Sequence, residues 1–89
     1  MDGELRSIYE ITTAPYGKVV CTLKSYLKKR KISRTELAKT SGVGYGVVNR
    51  YYRNEAFRYD GDVISKFCYC LNCTISDLLV YIPDEGNSE

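Results

Sequence analysis

An all-α domain of five short helices is predicted by three features of this 89-residue sequence. Apolar residues recur at three- and four-residue spacings in separate blocks, the period of amphipathic helices. Start and stop signals bracket most blocks: a Ser33-to-Glu36 capping box, Gly42, Asp60 or Asp62, Thr74 and Pro83. No stretch makes a convincing sheet.

Residues 1–16 have no helical period. LRSIYEIT carries some β character through Ile8, Tyr9 and Ile11, and Thr-Thr-Ala-Pro follows at once. The segment reads as a flexible N-terminal arm or one short strand. Helix one is expected over about Gly17–Lys31, with Val20, Leu23, Tyr26 and Leu27 on one stripe and Lys24, Lys28 and Lys31 opposite. The run Lys28, Lys29, Arg30, Lys31 complements the negative end of that helix dipole, and it serves equally as a solvated helix end or a DNA contact. Helix two starts at Ser33, turns Leu37 and Ala38 inward, and ends at Gly42. Helix three spans about Tyr45–Arg53, with Gly44 as N-cap and Val47 or Val48, Tyr51 and Tyr52 as candidates for its inner side. A loop follows over Asn54–Tyr59. Helix four runs from Asp60 or Asp62 to about Leu71, with Ile64, Phe67, Cys68 and Leu71 on one stripe. Helix five is expected from Thr74, with Asp77 in its first turn and Leu78 and Leu79 buried, until Pro83 stops it. The organisation is an arm over 1–16, one domain over 17–83, and a polar tail over 84–89.

Composition narrows the class. No stretch approaches the ~18 to 20 apolar residues of a membrane span. The N-terminus has acidic residues where a signal peptide carries positive charge, so a cytoplasmic location with reduced thiols is expected. Charge is segregated. Residues 18–58 hold eleven basic and two acidic side chains, a net +9, whereas the remainder holds two bases and nine acids, a net −7. A polyanionic partner is one reading and a dipolar, solvated surface is the other.

Residues 34–54, RTELAKTSGVGYGVVNRYYRN, favour the first. Ala38 is small where two helices cross, Gly42 makes the turn, Val43 plugs it, and Val48 and Tyr51 follow on the inner face of the next helix. This is the apolar spacing of a helix-turn-helix. Over residues 18–82 the sequence resembles the lambda-repressor-like, Cro/cI-type (Xre-type) helix-turn-helix regulators. Leu37-Ala38, Gly42-Val43, Val48 and Tyr51 carry the resemblance, and the Ile64, Phe67, Cys68, Leu71, Cys73, Asp77, Leu78 pattern extends it. The resemblance implies a bacterial, phage or mobile-element transcription regulator, a repressor in preference to an activator, bound to double-stranded DNA as a homodimer. It puts the third helix in the major groove. By position Tyr45, Asn49 and Arg50 then face bases, Asn49 suiting adenine and Arg50 guanine. Arg34, Thr35, Lys39, Gly44, Gly46, Arg53, Asn54 and Arg58 become candidate backbone contacts. Alternatives stay open: Arg50 holding only phosphate, Asn49 bracing the following loop, Tyr45 simply exposed. Two departures stand out. Gly44 and Gly46 occupy places where relatives often carry serine or threonine, and Ser41 stands where an apolar residue is common. The rival function is a protein-interaction module, such as an antitoxin or adaptor, on the same fold. Val80-Tyr81-Ile82 and the Ile8-Tyr9-Ile11 arm are candidates for a dimer surface.

FCYCLNC, residues 67–73, holds three of the four cysteines. Cys68 and Cys70 point roughly 200° apart on a helix, so they cannot share one metal without unwinding it. With no histidine in the chain, a zinc set is short of ligands. Core packing is therefore expected for Cys68 and Cys73, and Cys70 is expected to be the most accessible. Catalysis has no Ser-His or Cys-His pair to use, and GVGYG lacks the lysine and the strand of a phosphate loop. No enzyme activity, cofactor, small-molecule substrate or separate effector-binding domain is expected.

Overall fold

The computed structural model of the chain describes residues 16–56 and 58–83. The expectations for the arm, including Ile8, Tyr9 and Ile11, and for the tail fall outside those residues. In chain order the elements are β1 (Lys18–Cys21), α1 (Leu23–Arg30), α2 (Arg34–Ser41), α3 (Tyr45–Tyr52), α4 (Gly61–Leu71), a 3-10 turn (Ile75–Asp77) and β2 (Leu79–Ile82). Among the described residues there are thus four α-helices, and none is long and apolar enough to cross a membrane.

The middle helices follow their local signals. Ser33 Oγ accepts from Glu36 N–H at 3.0 Å and Glu36 Oε1 accepts from Ser33 N–H at 3.2 Å, closing the capping box. Gly42 takes φ +76° and returns its N–H to the Ala38 carbonyl at 3.0 Å. Glycine suits that left-handed position because it lacks a Cβ. Ser41 is not a packing defect: its hydroxyl accepts from Val43 N–H at 3.1 Å and ties down the turn. For α4 the cap is Asp60, whose Oδ1 accepts from Asp62 N–H at 2.8 Å. Arg30 leans across from α1 and donates to the Leu71 carbonyl at 3.0 Å, capping α4 at its other end.

Both ends of the domain depart from the all-α expectation. Lys18–Cys21 is a strand, so helix one begins only at Leu23, and Val20 is not on its stripe. At the far end one 3-10 turn replaces helix five, and Val80, Tyr81 and Ile82 belong to β2. The strands pair antiparallel, with Lys18 opposite Ile82 and Cys21 opposite Leu79. Two causes act together. Val19, Val20, Val80, Tyr81 and Ile82 favour extended backbone, and each strand supplies the other's missing hydrogen bonds. Gly17 marks the entry, since a Cβ there would overlap the Ile82 carbonyl oxygen. Thr22 N–H donates to the Leu78 carbonyl at 2.7 Å, fastening the strand-to-helix junction to the turn before β2.

One core joins these elements. Leu23 and Leu27 of α1, Leu37 of α2, Val43, Val48 and Tyr51, and Ile64, Phe67 and Leu71 of α4 are buried together, with Cys21 and Leu78 from the sheet end. Tyr51 is the hinge of the packing. Its ring meets Tyr59 and Phe67 edge-on at 5.6 and 5.5 Å, and its hydroxyl accepts from Asp60 N–H at 2.8 Å. This fixes α3 against the start of α4, with the opposite face of α3 directed to solvent.

Candidate nucleic-acid interface

α2, the Gly42–Gly44 turn and α3 form the helix-turn-helix. Val43 and Val48 are buried beneath it, and Ala38 packs against the same core. That inner face orients the outer one. Tyr45 and Arg50 are exposed on α3, the Tyr45 side chain with 47% of its surface open, while Asn49 is half-buried toward α2. On α2, Thr35 and Lys39 are exposed and Arg34 is half-buried.

Gly44 and Gly46 are informative because nothing in the fold requires them. Gly44 has φ −59°, which any residue adopts, and Gly46 is helical. A Cβ at either would meet nothing within 4 Å. Glycine costs about 1 kcal/mol against alanine in a helix interior, and less in the first turn, where Gly46 stands. The missing side chains therefore leave open backbone on the solvent side of the α3 N-terminus without serving the interior.

The sequence-predicted contacts differ in their surroundings. Tyr45, Gly46, Arg50, Thr35 and Lys39 stand exposed on the two helices. Arg50 and Arg58 line one shallow depression beside α3, together with Glu55. Arg53 makes an ion pair with Glu55 at 3.3 Å, but both side chains are more than half exposed, and such pairs contribute little. Asn54 is turned the other way: its Oδ1 accepts from Cys21 N–H at 3.0 Å, and its backbone is left-handed at φ +58°. Its carboxamide holds β1 to the end of α3.

Sequence reasoning missed one constellation. Arg34 Nη1 donates to Asn49 Oδ1 at 2.6 Å, and the guanidinium carbon lies 4.2 Å from the centre of the Tyr52 ring. Two candidate contact residues, one on each helix, are thus bonded to each other. No local motif announces this pair, because it spans fifteen residues and the turn between them.

Metal chemistry finds no assembled site: among the described residues no group of three or more potential ligands converges. Cys68, Cys70 and Cys73 are each half-buried against the core, and the Cys70 thiol donates to the Thr40 carbonyl at 3.5 Å. All three are thus partly covered, Cys70 through its bond to Thr40.

No curated protein matches the chain. The family model for the Cro/C1-type HTH DNA-binding domain matches residues 22–84, which takes in all four helices, the turn and β2. With the helix-turn-helix geometry above, that match over most of the sequence means that the chain belongs to the Cro/C1-type helix-turn-helix DNA-binding domain family.

Proposed function

We propose that this DNA-binding domain is a sequence-specific transcription regulator, acting as a repressor that occupies an operator and excludes polymerase. α3 lies in the major groove with Tyr45, Asn49 and Arg50 toward base edges. Thr35, Lys39 and Arg58 hold phosphates, and the open backbone at Gly44 and Gly46 lets the duplex approach closely. The observation that carries this reading is the α2–α3 outer face, where exposed cations and two fold-independent glycines coincide. Basic residues dominate the span that contains it, eleven against two acids. A homodimer would place two such faces on half-sites one helical turn apart. Val19, Val80, Tyr81 and Ile82, apolar and exposed on the sheet, are the surface we assign to the second copy.

Selection of bound duplexes from a random pool at moderate salt, followed by sequencing, tests the proposal. A two-fold symmetric site with half-sites about 10 base pairs apart is the expected result. Binding to every duplex alike, or to none, would leave the fold without a sequence-reading function and favour the protein-interaction role.

A further inference from the structure

Arg34 and Asn49 are joined across the helix-turn-helix before any DNA arrives. Arg34 uses an edge of its guanidinium on Asn49 Oδ1 and a face on Tyr52, so the planar group is held in one attitude. Arginine only donates, so the carboxamide atom against it is the oxygen. The Asn49 amide is thereby set one way round. Its Nδ2 lies on the side away from Arg34, and among the described residues nothing accepts from it.

We infer that Arg34 is a positioning residue for base recognition, fixing Asn49 as a hydrogen-bond donor toward the major groove. The inference rests on the placement of α3 in that groove. A free asparagine is ambivalent, because its amide can present either the oxygen or the nitrogen. Held by Arg34, it requires a base acceptor. Purine N7, guanine O6 and thymine O4 all qualify. Cytosine does not, since its major-groove edge offers only the N4 donor. Asn49 therefore acts against cytosine at the position it faces. This differs from the bidentate pairing with adenine expected of an unconstrained asparagine.

The test is duplex selection with the full chain, comparing wild type, R34M, R34K, N49A, N49D and R34M/N49A. Folding of each is checked by circular dichroism. Wild type should reject cytosine at one position of each half-site by roughly 5- to 150-fold, the usual penalty for one wrong base pair. N49A should erase that preference. R34M frees the amide to turn its oxygen outward, so it should admit cytosine at the same position, and the double variant should match N49A there. R34K keeps a donor for Oδ1 and should restore part of the rejection. N49D leaves Arg34 in place and presents an acceptor where Nδ2 stood, so it should select cytosine. The inference fails if R34M weakens all duplexes alike without changing any base preference, the mark of a phosphate contact. It fails equally if R34M and N49A act at different positions, or if N49D does not turn the preference toward cytosine. A wild type that enriches no sequence overturns the regulatory function and this inference together, whereas an intact wild-type site unaltered by R34M overturns this inference alone.

Discussion

Gly46, the second residue of α3, separates the proposed close approach of DNA from the needs of the fold. Alanine there adds helix propensity, up to about 1 kcal/mol and less in a first turn than in a helix interior, and its Cβ touches nothing. Gly46→Ala should raise the melting temperature of the free protein by up to ~4 °C, since ~1 kcal/mol shifts a small domain by about 4–8 °C. The same methyl group stands on the face assigned to the duplex, so affinity measured by fluorescence anisotropy should fall. Stabilisation with unchanged affinity would remove the close-approach role. The cysteines carry a second residue-level prediction. Burial, and then the neighbouring Cys68, pushes the Cys73 thiol up to about 11 from an ordinary 9.0. Burial also raises Cys21. The folded state thus keeps these protons more tightly than the unfolded chain. The Cys73 contribution to stability is complete below pH about 9 and is lost as the pH rises toward about 11. Urea midpoints under reducing conditions should stay level up to that window and then decline, and Cys73→Ala should flatten part of the decline. A midpoint that is level throughout would show that these thiols ionise as easily in the fold as out of it. The contact of Cys68 with the core was legible from the stripe it shares with Ile64 and Phe67, whereas the fully buried cysteine, Cys21, lies on β1 and off that stripe. The orientation of Asn49 was not, because it depends on a partner brought in by the turn.

Elements built on local signals were legible, and elements built on distant pairing were not. The limits of α2, α3 and α4 follow from Ser33, Gly42, Gly44 and Asp60, whose hydrogen bonds reach only two to four residues. By contrast, β1 and β2 pair across some sixty residues of sequence, Lys18 with Ile82. Val20, Leu23 and Leu27 mimic a continuous helical stripe when the partner strand is not considered. Gly17 and the β-branched pair Val19-Val20 were the available hints. Asn54 joins the two kinds of element, ending α3 and holding the Cys21 N–H of β1. Asn54→Ala loses a left-handed conformation, which costs about 1–2 kcal/mol outside glycine, asparagine and aspartate. It also loses a hydrogen bond worth about 1 kcal/mol. Asn54→Gly loses only the bond. Chemical denaturation should therefore rank wild type above Asn54→Gly and Asn54→Gly above Asn54→Ala, the full loss being on the order of 2 kcal/mol. Equal destabilisation by both variants would make the backbone conformation irrelevant and the carboxamide everything.

At the scale of the whole molecule, charge is divided between a basic span and acidic flanks, and the fold decides which cations remain available to a polyanion. Sequence position alone sorted the eleven basic residues of 18–58 only by place in the chain. Packing makes them unequal. Arg30 is engaged with the Leu71 carbonyl and lies 5.3 Å from the centre of the Tyr26 ring, so it closes α4 onto α1. Arg58 is exposed beside α3, next to Arg50. Both carry one positive charge, yet their removal should have separable effects. Each phosphate neutralised on B-DNA contributes about −0.9 to the slope of log affinity against log salt. Arg58→Ala should make that slope shallower by about 1 per protomer and leave the melting temperature nearly unchanged. Arg30→Ala should lower the melting temperature, because the charge-assisted cap on α4 is lost. It should leave the slope as it was, since the folded fraction presents the same cations to DNA. Titrations over a range of salt, paired with thermal denaturation of each variant, separate these outcomes. If Arg30→Ala flattens the slope as much as Arg58→Ala does, the long-range field of the basic span governs binding, and the particular geometry of α2 and α3 matters less than their net charge.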